Sequence, residues 1–380
     1  MEDIYFLAVE TSCDDTSVAV LRVKEEKGKL KKIEALSNVV SSQTQLHAGY
    51  GGVYPFLAKR EHQKNLPLVF EQAVKKFNVS KIAFIGVTKG PGLDPCLWTG
   101  INFSQNLAKK CGFPLVGSNH LEAHFLANLL TLGIGEAEFA KKYLPAVCLV
   151  VSGGHTLLFL AHAIGDYKLL GETQDDAAGE CFDKAARILG LGYPGGPEIS
   201  KYADKYSVEV KSPLNFKHKI SGRVSGSQTS TQFVDAKIKL PRPMMAQKNY
   251  NFSFSGLKTA VLYLHQKQTE ETKKLPEYLA AMSYEIQQAI VDVLVSKTKR
   301  AAQEFGVKSI IVGGGVSANN ALREEMKKAA KELGVKYLAP SRDLSVDNAA
   351  MAGVAAYFVW KRGEVVSNPD DLQSEPNLGI

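Results

Sequence analysis

Two histidines four residues apart open an apolar run, Asn119-His120-Leu121-Glu122-Ala123-His124 followed by "FLANLLTL". On a helix, positions i and i+4 share a face, so both rings can present a nitrogen to one cation. The spacing is near the H-E-x-x-H of metallopeptidases, but in "HLEAH" the glutamate stands third and points elsewhere. By itself such a pair is more often two polar residues at a helix edge, so a third ligand decides. The best candidate is Asp347 in "LSVDNAAMAG", an acid at a helix start whose alternative role is an N-cap. Asp14 and Asp15 sit together in "ETSCDDTSV", where carboxylates can hold a cation or orient water. Asp175, Asp176, Glu180 and Asp183 punctuate "DDAAGECFDK", with Asp176, Glu180 and Asp183 expected on one helix face. Taken singly, each of these is a solvated turn or helix acid. Nucleophilic catalysis has little support, because there is no G-x-S-x-G elbow and no cysteine has a recognisable histidine partner. Chemistry at such a site works by positioning and charge stabilisation.

Glycine-rich turns form the second group. "SGGHT" (Ser152 to Thr156) and "VGGGVSAN" both follow buried-looking strands. Glycine lets backbone N–H groups approach an anion closely, and a helix N-terminus adds favourable partial charge. One such turn is ordinary; two, with "GPGL" and "YPGGP" beside them, point to a nucleotide site. None fits G-x-x-x-x-G-K-[ST] or G-x-G-x-x-G, which disfavours P-loop and Rossmann readings.

These groups must be positioned by α/β elements, one of which occurs twice. "IYFLAVETSCDDTSVAVLRV" and "PAVCLVVSGGHTLLFLAHAI" each read as a β-hairpin whose turn carries more functional groups than a turn needs. A further strand and a helix-rich stretch follow each. The repetition predicts a duplicated α/β domain with a central cleft: a first lobe over 1–135, a second over 136–360, and a tail over 361–380 whose stretch "SNPDDLQSEPNLGI" is expected to be loosely ordered. A chain of 380 residues suits two domains.

Composition narrows the class. With 45% hydrophobic and 22% charged residues the chain has an ordinary globular profile. No apolar run approaches the roughly 20 residues of a membrane span, and "MEDIYFLAVE" does not read as a secretory signal. Five scattered cysteines without a C-x-x-C pair suggest reduced thiols, so a cytoplasmic location is expected. The net charge is +7, and residues 205–248 alone hold nine Lys/Arg against two acids, an excess of the same size. A basic insertion near 205–250 would attract a polyanion such as nucleic acid.

Together the motifs resemble one family. "ETSCDDTSVAV", "HAGYGGVYP", "GPGL", "NHLEAH", "VSGGHT", "DDAAGECFDKAARILGLGYPGGP", "NFSFSGLKT", "GGGVSANNALR" and "SVDNAAMA" occur in the order of the TsaD family, the tRNA threonylcarbamoyladenosine transferases once described as sialoglycoprotein endopeptidases. The resemblance covers about residues 4–360 and implies an actin-like ATPase (ASKHA) fold. It implies transfer of a threonylcarbamoyl group from L-threonylcarbamoyl-adenylate to N6 of adenosine 37 in tRNAs reading codons that begin with A, releasing AMP. It implies one divalent metal, Fe2+ before Zn2+, on His120, His124 and Asp347. Val150, Val151, Ser152, Gly153 and Gly154 would take phosphate and carbamoyl groups, Asp183 and Gly196 the ribose side, and Asn319 the adenylate. No general base is implied; Asp14 and Asp15 are the candidates. Partners implied are tRNA, a TsaB-like paralogue and a TsaE-like ATPase through which ATP and Mg would enter. Two departures stand out: Asn119 occupies a frequent histidine position, and the first turn reads "DDT" where Asp-Glu-Thr is usual. A metallopeptidase, a kinase on the same fold and a nucleotide-sensing scaffold are the rival readings.

Overall fold

The computed structural model of the chain describes residues 2–209 and 238–380. Its ten strands make two five-stranded sheets of one design. In the first, β1 (Glu2–Glu10), β2 (Asp15–Glu26) and β3 (Lys29–Ser42) form an antiparallel meander. Then β4 (Ile82–Gly90) and β5 (Leu115–Asn119) add in parallel beside β1. In the second, β6 (Ala146–Val151), β7 (Thr156–Ala163) and β8 (Asp166–Glu172) form the meander, and β9 (Ser309–Gly313) and β10 (Lys336–Leu338) add in parallel beside β6. The expected duplication therefore extends to every strand, and the fold is the duplicated actin-like α/β architecture. Central strands such as "AVCLVV" are buried on both faces, as parallel neighbours covered by helices require.

Helices fill three layers. On the outer face of the first sheet, α1 (Pro55–Val74) and α2 (Asp94–Cys111) place Leu66, Val69, Leu97 and Ile101 on Leu7, Val20 and Ile85. Between the sheets, α3 (His120–Leu132) and α8 (Ala349–Lys361) share one core with both, joining Phe6 and Leu21 to Phe159 and Ile311. Beyond the second sheet lie α4 (Ala178–Ile188), α5 (Gly195–Glu209), α6 (Pro276–Glu304) and α7 (Asn320–Leu333). All five strands of each sheet fall within the corresponding expected lobe, but α8 crosses back from the second segment onto the first sheet. The site-bearing ends of α3 and α8 thus sit in the middle layer.

The tail departs from expectation. Leu372 is buried against the outer core of the first lobe, and its carbonyl accepts from Gln105 Nε2 at 3.1 Å. Glu375 N donates to Lys89 O at 2.7 Å while its side chain pairs with Lys89 Nζ at 2.7 Å. Asn119 Nδ2 donates to Gly379 O at 2.6 Å. A polar tail is ordered here because its backbone groups find partners on the ends of β4 and β5. In the basic insertion, Lys211, Lys217, Lys219, Arg223 and Lys237 lie outside the described residues. Arg242 is not a free cation: it pairs with Glu285, and with Asp292 at 2.9 Å, on α6.

Candidate metal centre between the two hairpin turns

β5 ends on Asn119, whose side-chain oxygen accepts from Leu121 N at 2.8 Å and Glu122 N at 3.3 Å, capping α3. The residue that departs from the family pattern is thus the one that starts the helix. His120 and His124 follow on its first turns, both buried, with ring centroids 4.6 Å apart. Asp347 arrives on the segment leading into α8. The N-cap there is Asn348, which accepts from Met351 N at 3.0 Å, so the carboxylate of Asp347 is left for the histidines. Its Oδ1 lies 3.2 Å from His124 Nε2 and 3.6 Å from His120 Nε2. One donor atom from each residue lies within 4.8 Å of the others, the only such group of three His, Cys, Asp or Glu among the described residues.

The donor set fits a cation. His124 Nε2 is buried with no aligned hydrogen bond and faces only Asp347 Oδ1, at 3.2 Å, so a cation held between them would give both a partner. His120 Nδ1 faces Glu10 Oε2 at 3.2 Å and Ser12 Oγ at 3.2 Å, which directs a Nδ1 proton to the carboxylate and leaves Nε2 for an ion. Glu10 is itself fixed, accepting from Thr88 Oγ1 at 2.6 Å and Ser12 N at 2.7 Å. Sequence reasoning passed over Glu10; its signal was an acid closing the apolar strand "FLAVE", where an unpaired charge would be costly. Burial pushes the His120 ring down, yet Asp347 and Glu10 together hold it up to about 9. Burial raises Asp347, and the facing imidazoles more than reverse this, holding it below the usual carboxylate range. Two imidazoles and a carboxylate suit a borderline divalent ion.

Both hairpin turns converge on this point. Burial first, then the Asp347 charge, raises Asp14 and pushes Asp15 up to about 7; Asp15 Oδ1 is buried and unpartnered. From the second turn His155 comes within 6.3 Å of the His120 ring, centroid to centroid, and burial followed by the two histidines takes it down to about 4. His155 was also missed, although it stands inside the glycine turn already singled out. Val150 and Val151 give their side chains to the core on opposite faces of β6. Ser152 closes the turn, its N–H donating to His155 O at 2.8 Å, and Gly153 and Gly154 border open space.

Other singled-out residues have local partners. Asp183, on α4, accepts from Gly195 N at 2.7 Å at the start of α5, beside Gly196. Asn319 caps α7 through Leu322 N at 2.9 Å, and its amide donates to Ser200 Oγ and Gln287 Oε1, both at 2.8 Å. Asp176 precedes α4 rather than sharing its face with Glu180 and Asp183; it pairs with Lys184 at 2.7 Å. Glu122 turns away from the cation site, as its position in the motif predicts, and accepts from Tyr167 OH at 2.7 Å.

Fold and site together define a two-lobed actin-like protein with a histidine–carboxylate group able to hold a cation where its paired hairpin turns meet. The family model for tRNA N6-adenosine threonylcarbamoyltransferase (TsaD) matches residues 34–237 and 224–354. A protein of that name from Thermosipho africanus is 42% identical over 376 residues, covering 98% of this chain and 99% of that one. Another from Clostridium botulinum strain Kyoto is 39% identical over 384 residues, with 100% and 98% covered. The chain belongs to the TsaD family, the tRNA N6-adenosine threonylcarbamoyltransferases. Among solved structures, HypF from T. kodakarensis aligns with a TM-score of 0.50 at 13% identity over 97% of this chain and 49% of that one, a likeness of fold alone. No helix among the described residues is long and apolar enough to cross a membrane.

Proposed function

We propose that this chain transfers the threonylcarbamoyl group of L-threonylcarbamoyl-adenylate to N6 of adenosine 37 in tRNAs reading codons that begin with A, giving t6A and AMP. The observation that carries the reading is the His120/His124/Asp347 group at the meeting of the two turns, in a chain of this family. His120, His124 and Asp347 would hold one divalent ion, iron or zinc, which supplies Lewis acidity toward an acyl oxygen and neutralises developing negative charge. The rest is positioning. Gly153 and Gly154 offer backbone beside open space for the phosphate and carbamoyl oxygens, with Val150, Val151 and Ser152 holding that turn in place. Asp183 and Gly196 would take the ribose side, and Asn319 the adenylate. The exocyclic amine of adenosine must lose a proton as it attacks. Asp14 and Asp15, whose carboxyls burial and then the Asp347 charge raise in the metal-free site, are the candidates to accept it.

Partners in this reading are tRNA, a TsaB-like paralogue and a TsaE-like ATPase that brings ATP and Mg, in the cytoplasm. The test is to incubate the metal-loaded protein with tRNA, threonylcarbamoyl-adenylate and those partners, then digest the tRNA and look for t6A by nucleoside mass spectrometry. His124→Ala and Asp347→Ala should abolish the product. Product that persists at wild-type rate in both variants would remove the metal from the reaction; absence of t6A with every component present would remove the reaction itself.

A further inference from the structure

One exposed group is left unused by the mechanism. Between β3 and α1 the chain runs "HAGYGGVYPF", and Tyr50, Tyr54 and Phe56 are 62%, 53% and 64% exposed. A lone exposed aromatic is ordinary, but adjoining ones mark a surface for contact. The two tyrosines stack on each other, ring centroids 5.9 Å apart and planes 24° apart, so each still offers an open face.

The pair is held still. Gly51, at φ +65°, makes the turn between the rings, and its N–H donates to His47 O at 3.1 Å. Tyr54 N donates to His47 Nδ1 at 3.3 Å, and Pro55 begins α1. The loop is also wired to the candidate centre. His47 Nε2 meets Gln43 Oε1 at 3.2 Å, and Gln43 N donates to Asp14 O at 3.1 Å, within the first hairpin turn. From the other lobe, Arg187 of α4, four residues beyond Asp183, packs on the loop so closely that a Cβ on Gly51 would stand 2.4 Å from its Nη2. Arg187, with Lys59 and Arg60 at the start of α1, gives this border three cations, none with an ion-pair partner among the described residues. Rigid aromatic faces rimmed by unpaired cations are what a single-stranded nucleic acid binds: bases stack on rings while phosphates meet the charges.

We propose that Tyr50 and Tyr54 form a stacking platform for an unpaired base of the tRNA anticodon loop, with Arg187 gripping an adjacent phosphate, so that adenosine 37 is directed to the metal centre. This rests on the transferase reading and adds the residues that present the acceptor. Stacking is sequence-tolerant, so the platform orients the loop and leaves the choice of tRNA to other contacts.

The test compares wild type, Tyr50→Ala/Tyr54→Ala, Tyr50→Phe/Tyr54→Phe and Tyr54→Trp with an unmodified tRNA and its isolated anticodon stem–loop. The double alanine variant should raise the KM for tRNA about 10–100-fold, with the loss falling on KM rather than kcat. Its salt dependence of tRNA binding should be unchanged, because no phosphate contact is removed. The double phenylalanine variant should keep the wild-type KM. The indole emission that Tyr54→Trp adds over wild type should be quenched by the stem–loop and not by a duplex lacking the loop. Unchanged tRNA affinity in a double alanine variant that melts like wild type would overturn the proposal. So would loss of partner-protein assembly with tRNA binding intact, which would make the patch a protein interface. A wild type that forms no t6A sinks the transferase reading instead, and the indole signal of Tyr54→Trp still reads the platform separately.

Discussion

At His120, the nitrogen turned from Asp347 faces Glu10, and that carboxylate is gripped by Thr88 and Ser12 before it meets the imidazole. A carboxylate behind a ligand histidine fixes ring orientation and raises basicity, and its removal typically costs about 10–100-fold in metal affinity. Glu10→Gln keeps the shape and loses the charge, so metal affinity measured by competition with a chromogenic chelator should fall by about that factor while the circular dichroism spectrum stays unchanged. Asp15 makes a prediction of opposite character. Its carboxyl ionises near 3.8 when unfolded and near 7 in the folded protein. A raised acid is neutral in both states below the lower value; its folding penalty grows between the two values and is complete above the upper one. Asp15→Asn should therefore stabilise the metal-free protein above pH 7, by up to about 4 kcal/mol, and change little near pH 3.5. Thermal melts in chelator across that range check it; equal melting temperatures at pH 8 would show that Asp15 is solvated as an ordinary aspartate.

The elements that carry these residues meet through glycines. A Cβ on Gly313, at the end of β9, would stand 2.6 Å from the backbone oxygen of His124, and one on Gly179 would stand 2.5 Å from Ser152 O. The first contact seats α3 on the second sheet, and the second seats the glycine turn on α4. Gly313→Ala must push α3 outward, at about the 1–3 kcal/mol of an overpacked core, and the displacement falls directly on His124. Bound metal, measured by elemental analysis after gel filtration, should drop well below one ion per chain while the protein still folds. Full occupancy would mean that β9 gives way instead of α3. Much at this scale was legible in the sequence, because strands that alternate or run continuously apolar advertise themselves, and both hairpins stand where their patterns put them. Asp176 was misplaced for a local reason: the helix begins two residues later, at Ala178, once Thr156 Oγ1 has accepted the Ala178 N–H at 2.9 Å. A hydroxyl reaching from a strand to a helix start leaves no trace in helical periodicity.

Across the whole molecule, the site exists only because α3 and α8 share the layer between the sheets. The His120/His124 spacing could be read along the chain, and Asp347 could be guessed. That Asn348 rather than Asp347 caps α8 could not, since either residue type can serve as an N-cap. Glu10 and His155 carry only local signals, an acid closing a strand and a residue of a glycine turn; what joins them to this site is proximity to His120, contributed by opposite sheets. An ion on His120, His124 and Asp347 would therefore tie the start of α3 to the start of α8 and brace the layer that joins the lobes. Binding to the folded state alone stabilises by about 2.7 kcal/mol at a hundredfold excess over Kd. For a lobe of roughly 150–250 residues, this corresponds to a rise of about 5–10 °C in Tm. Adding zinc or anaerobic ferrous iron to chelator-stripped wild type should give such a rise. Asp347→Ala should give a much smaller one, even though the substituted position lies outside every helix and strand. If the stripped wild type and the variant respond alike, the ion binds elsewhere, and the facing of His124 Nε2 and Asp347 Oδ1 needs another explanation.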